Sequence, residues 1–244
     1  MIGSKIRSGL AIETSIRGVS LGIFEVTEDG VSLSAAEHCE DRQASSSFLP
    51  AALKQLLSDT QLELPSLDSL VVSRGPGSFT GIKIGLSFAQ GLIRGGYQGQ
   101  VMGVSALECL AKSMQLVNSG LLLPATRTQG YAALLDPQGL THLLVAKIDE
   151  GRLILQDEEG QDPTWVPDEA SFIPVLPWEQ LTQIEHPVPG LKEPMKFDES
   201  RNLVLTSMAV EALNCKSPSI EEQTLSPLYM RRSAPEERYI GKKS

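Results

Sequence analysis

The amino-acid sequence predicts an α/β protein of two lobes, and three observations predict it. The first 105 residues alternate between strand-like and helix-like runs in the order βββαβαβ. The second half opens on another set of three strand-like runs, an echo that points to a duplicated lobe. Between a buried strand and a helix in the first half stands a glycine- and proline-rich turn, Ser73-Arg74-Gly75-Pro76-Gly77-Ser78. A chain of 244 residues with 41% apolar content is long enough to build a core in each lobe. The expected division is residues 1–105 for the first lobe and 106–244 for the second, with an irregular tail whose end packs back on the first lobe.

Residues 8–15 read as a first strand that closes in a polar turn, Glu13-Thr14-Ser15. Over 18–26, Val19, Leu21, Ile23 and Phe24 are apolar, with Ser20, Gly22 and Glu25 between. Glu28-Asp29-Gly30 turns the chain, and Val31, Leu33 and Ala35 alternate with Ser32, Ser34 and Ala36. These three runs form a meander. Ser45-Ser46-Ser47 then supplies helix-capping hydroxyls. Phe48, Leu49, Ala52, Leu53, Leu56 and Leu57 follow at helical spacing and make one apolar face, with Pro50 tolerable in the first turn. A loop with Pro65 leads to the strand 69–73 and the glycine turn.

The next helix carries Gly81, Gly85 and Ala89 at four-residue spacing, with Gly91 beside them. A glycine costs a helix interior about 1 kcal/mol relative to alanine. A helix that uses several gains close approach to another backbone, either in its own sheet or in a partner's helix. Gly95-Gly96 ends this helix, Val101 to Val104 is a short strand, and Ser105-Ala106-Leu107-Glu108 opens a capped helix to about Val117. In the second half, 121–123, 131–135 and 142–146 are strands, with 152–156 a fourth. Residues 157–200 read as short strands and loops, and Leu203 to Leu213 as a helix.

The net charge of −9 excludes a protein that grips nucleic acid unaided, because phosphate binding needs a basic footprint. It leaves room for acting on nucleic acid beside a basic partner. Cys39, Cys109 and Cys215 are odd in number and scattered, which fits neither a disulfide framework nor a metal site. No run approaches the roughly 18 apolar residues of a membrane span, and the N-terminus lacks a signal-peptide core. The expectation is a cytoplasmic protein that does not meet a membrane.

The glycine turn is not a phosphate loop of the Walker type. That loop needs a lysine directly after its second glycine, whereas Ile82 follows Gly81 and Lys83 stands one further on. The dinucleotide fingerprint fails too, since the glycine after Gly75 and Gly77 falls at 81 rather than 80. Packing or an interaction surface explains the turn better. Glu13-Thr14-Ser15 offers a carboxylate and two hydroxyls at a strand end, where Thr14 and Ser15 could touch a metal-bound nucleotide. Ordinary turn capping accounts for the same residues. His38, His142 and His186 show no i, i+4 pair, so a helical zinc site is not expected. No G-x-S-x-G elbow marks a nucleophile. Neither a catalytic set nor a metal set is assembled in the sequence.

The stretch Ser73 to Gly85, with Phe79-Thr80-Gly81 at its centre and Ala89-Gln90-Gly91-Leu92 beyond, resembles the signature of the bacterial TsaB family, also called YeaZ. Leu10-Ala11-Ile12-Glu13-Thr14-Ser15 resembles the family's opening L-A-I-D-T-S. Gly103-Val104-Ser105-Ala106-Leu107 resembles its G-V-S-x-L, and Pro227-Leu228-Tyr229-Met230-Arg231 its closing P-x-Y-x-R. The resemblance implies the actin/Hsp70-like ATPase superfold with duplicated βββαβα lobes. It implies a non-catalytic scaffold subunit of the complex that makes tRNA threonylcarbamoyladenosine next to the anticodon. The implied partners are the catalytic TsaD, a TsaE that joins the pair, and a second copy when the chain is alone. Transfer RNA would be met only through the complex, and ATP only in the assembled state. The implied interface is the two helices of the first lobe, with Phe48, Ala52 and Leu56 on one and Phe79, Thr80, Gly81, Gly85 and Ala89 on the other.

The chain departs from that pattern in three places. Glu13 replaces the opening aspartate, Ala44-Ser45-Ser46-Ser47 stands where a histidine is usual, and Pro124-Ala125-Thr126-Arg127 replaces I-D-A-R. The changes at Glu13, Ser47 and Ala125 argue against nucleotide or metal chemistry of its own, and leave the choice of partner open. Two rival readings are a peptidase of the M22 glycoprotease type and an ATP-binding switch protein. Each needs a site that the sequence does not display.

Overall fold

A computed structural model describes residues 7–41, 45–116, 119–136, 138–149, 152–157, 159–163, 166, 170–176, 192–214 and 225–228. Ala44, His186, Cys215 and the residues from Tyr229 onward lie outside the described residues. The chain forms two compact units. One takes residues up to 115 together with 196–227, and the other takes 116–195 and the residues from 228. Relative to a division at residue 105, the helices 106–113 and 197–214 both go with the first unit.

In the first unit, β1 (Ser8–Glu13), β2 (Val19–Thr27) and β3 (Gly30–Cys39) form the meander. Then come α1 (Ser45–Thr60), β4 (Ser69–Ser73), α2 (Phe79–Arg94), β5 (Gln100–Val104) and α3 (Ala106–Ser113). The last element is α4 (Phe197–Asn214). The sheet order is β3-β2-β1-β4-β5, antiparallel in the meander and parallel from β1 through β4 to β5. Parallel neighbours need crossovers, and α1 and α2 supply them. Covered strands of this kind lose the apolar–polar alternation, and all five residues of β4 are buried.

One sheet face carries Leu10, Ile12, Leu21, Ile23, Leu70 and Val72. It packs with Leu49, Leu53 and Leu56 of α1 and Ile82, Leu86 and Ala89 of α2 in a single core. Neighbouring residues of a strand point to opposite faces. Gly22 therefore belongs to the other face, where it lies against Leu205 of α4. Helices so cover both faces. The sequence places α3's end near Val117, but Gln115 takes a left-handed conformation (φ 51°) and stops the helix earlier.

In the second unit, β6 (Ser119–Pro124), β7 (Gln129–Leu135), β8 (Thr141–Asp149), β9 (Arg152–Gln156) and β10 (Ser171–Pro174) form a sheet in the order β10-β6-β7-β8-β9. The meander β6-β7-β8 repeats β1-β2-β3, and β10 lies parallel to β6 as β4 lies parallel to β1. The echo in the sequence is thus a repeat of topology, extended by β9 as an extra antiparallel edge. Leu122, Ala132, Leu134, Leu144, Ala146 and Phe172 form its core.

Candidate functional site at the strand ends and the α1–α2 face

Because β1, β4 and β5 are parallel neighbours, Glu13, Ser73 and Val104 end at the same edge of the sheet. The Arg74 amide donates to the Val104 carbonyl at 2.8 Å, which ties the end of β4 to β5. The chain then passes through a cis Gly75–Pro76 bond and two glycines of positive φ before α2 begins. Ser78 caps α2, its Oγ accepting from the Gly81 amide at 3.2 Å. The Ser78 amide donates to the Ser15 carbonyl at 2.7 Å, so the glycine turn and the turn after β1 are bonded to each other.

This contact is close enough to exclude side chains. A Cβ on Gly77 would stand 2.1 Å from the Ser15 carbonyl oxygen. One on Gly81 would stand 1.9 Å from the Thr14 carbonyl oxygen, and one on Gly85 2.3 Å from Thr14 Oγ1. The glycine ridge of α2 therefore faces inward, onto the turn of its own β1. This corrects the expected interface. Ala52, Leu56, Gly85 and Ala89 are buried in their own unit and offer a partner nothing, while Gly81 is half-buried against Thr14. The α1–α2 surface is formed by other residues. Phe79 is 41% exposed, Thr80, Lys83, Ser87 and Gly91 are exposed, and Phe48 is half-buried. Ser46, Leu49, Lys83, Ile84, Ser87 and Phe88 line a cleft between the two helices. The Lys83 ammonium sits 4.1 Å above the Phe79 ring.

Under the glycine ridge the polar groups serve the turn itself. Glu13 is buried, and its Oε1 accepts from the Ser15 amide (2.5 Å), the Ser15 hydroxyl (2.6 Å) and the Ile16 amide (3.1 Å). With its proton committed to Glu13, Ser15 accepts from the Ser73 hydroxyl at 2.7 Å. Glu13 Oε2 and Thr14 Oγ1 are buried and have no hydrogen-bond partner. Burial raises the Glu13 pKa, against the hydrogen bonds from Ser15 and Ile16 and the charge of Arg201. Thr14 and Ser15, the expected nucleotide contacts, are 2% and 0% exposed beneath α2. The Thr14 hydroxyl lies against Gly85 of α2, and the Ser15 hydroxyl is held between Glu13 and Ser73.

Sequence reasoning missed Arg201. It comes from α4 and is 3% exposed, donating to the Arg17 carbonyl and to Glu40 Oε1, each at 3.2 Å. It pins α4 to the turn after β1 and to the end of β3, and no local pattern marks it. His38 bridges Ser20 and Asn202 at 3.0 Å each, and His142 pairs with Asp136 at 2.8 Å. Among the described residues, no group of three His, Cys, Asp or Glu could hold a metal ion.

A family model described as TsaD, tRNA N6-adenosine threonylcarbamoyltransferase, matches residues 40–146. The tRNA threonylcarbamoyladenosine biosynthesis protein TsaB of Escherichia coli K12 is 34% identical over 103 residues, 42% of each chain. That of Bacillus subtilis 168 is 34% identical over 128 residues, 51% of this chain and 53% of its own. The matches span about half the length of these curated relatives. The solved structure of YeaZ from Pseudomonas aeruginosa has a TM-score of 0.58 at 19% identity, over 92% of this chain and 100% of that one. A protein with similarity to peptidase YeaZ from Pseudomonas aeruginosa has a TM-score of 0.62 at 18% identity, over 93% and 100%. These two likenesses establish that the chain shares the fold of those structures. The chain is thus similar over about half its length to proteins named TsaB, and similar in fold to solved structures named for YeaZ.

Proposed function

We propose that this chain is a non-catalytic subunit of the complex that makes tRNA threonylcarbamoyladenosine. In this reading it pairs through α1 and α2 with a TsaD homologue, and a TsaE homologue joins the pair. The observation that carries the reading is the 34% identity to proteins named for that pathway, over up to 51% of the chain. The geometry at the strand ends supports a scaffold role. One Glu13 carboxylate oxygen and the Ser15 hydroxyl, which could have served a nucleotide, are instead engaged in bonding the turn after β1 and tying it to Ser73. That bonding fixes α2, the helix that presents Phe79 and Lys83. A net charge of −9 supports contact with tRNA only through partners, in the cytoplasm where tRNA is modified. In this reading the chain needs no cofactor of its own, and ATP enters only in the assembled complex.

The test is co-purification of the tagged chain with the TsaD homologue of the same organism, together with a threonylcarbamoyl-transfer assay. Transfer is expected only when the TsaD homologue is present. Transfer by the purified chain alone would sink the non-catalytic reading. The peptidase reading draws on one structural neighbour's title, and hydrolysis of a casein substrate by the purified chain would favour it.

A further inference from the structure

We draw no further inference here: the strongest candidate, the exposed apolar patch that Leu203 and Val210 make on one face of α4, carries nothing because nothing in the structure shows what covers it.

Discussion

Replacing single glycines of α2 by alanine should separate the helix's two faces by sign. At Gly91 the added Cβ meets nothing within 4 Å, and the residue is exposed. Gly91→Ala therefore keeps only the propensity gain, about 1 kcal/mol. At Gly81 the Cβ would stand 1.9 Å from the Thr14 carbonyl oxygen, a backbone atom that cannot rotate away. Overpacking of this kind costs about 1–3 kcal/mol and disturbs a helix start that Ser78 fastens to Ser15. The fixed backbone oxygen puts the cost in the upper part of that range, so after the propensity gain of about 1 kcal/mol Gly81→Ala should lose on the order of 1–2 kcal/mol. At Gly85 the obstacle is the Thr14 side chain, 2.3 Å from the new Cβ at Oγ1 and 3.2 Å at Cγ2. Thr14 is enclosed, so Gly85→Ala should still destabilise, by less than Gly81→Ala. In a chain of this size 1 kcal/mol shifts Tm by about 2–4 °C, within reach of scanning calorimetry on the full chain. A destabilised Gly91→Ala, or a Gly81→Ala as stable as wild type, would refute the claim that the ridge packs inward.

Three more outcomes follow from the same geometry. Burial raises the Glu13 pKa, so the folded chain holds that proton more tightly than the unfolded one. The stability this contributes is present below the unfolded carboxyl pKa and is lost as pH rises through the folded one. Glu13→Gln keeps an acceptor for Ser15 and Ile16 and cannot ionise. Its stability relative to wild type should climb as pH rises above the unfolded carboxyl pKa of about 4, and urea titrations that show a constant gap would contradict this. Ser73→Ala removes the donor to the Ser15 hydroxyl and should cost about 1 kcal/mol, visible as a lower urea midpoint; no change would mean that this bond does not brace the turn. Arg201→Met should lower hydrogen-exchange protection along α4, since Arg201 bonds Arg17 and Glu40; unchanged α4 amides would show that the helix is held by its apolar face alone.

The strands and the glycine-marked helix were legible because their signals are local. Alternation at Val19 to Ile23, the wholly apolar Leu70-Val71-Val72 and the cap at Ser105 each depend on neighbours within a few residues. The direction of the ridge was not legible. Gly81, Gly85 and Ala89 announce close approach, but only the fold shows that the approaching backbone is Thr14. The same blindness moved the expected partner contacts onto Ala52, Leu56 and Ala89, which the core claims. The return of α4 to the first sheet is long-range, and so is the use of Arg201 to hold it, some 160 residues from Glu40 in sequence. In the sequence Glu13 stands as a departure from the opening aspartate. Its longer side chain in fact reaches back to the amides of its own turn.

The central claim is that this chain serves threonylcarbamoyladenosine synthesis by holding a partner on the α1–α2 face. Its most direct measurement is the threonylcarbamoyladenosine content of bulk tRNA, by mass spectrometry of nucleosides, in cells depleted of the chain. Depletion should remove the modification. Re-expressed wild type should restore it and Lys83→Glu should restore less. Modification that persists at normal level without the chain would contradict the account.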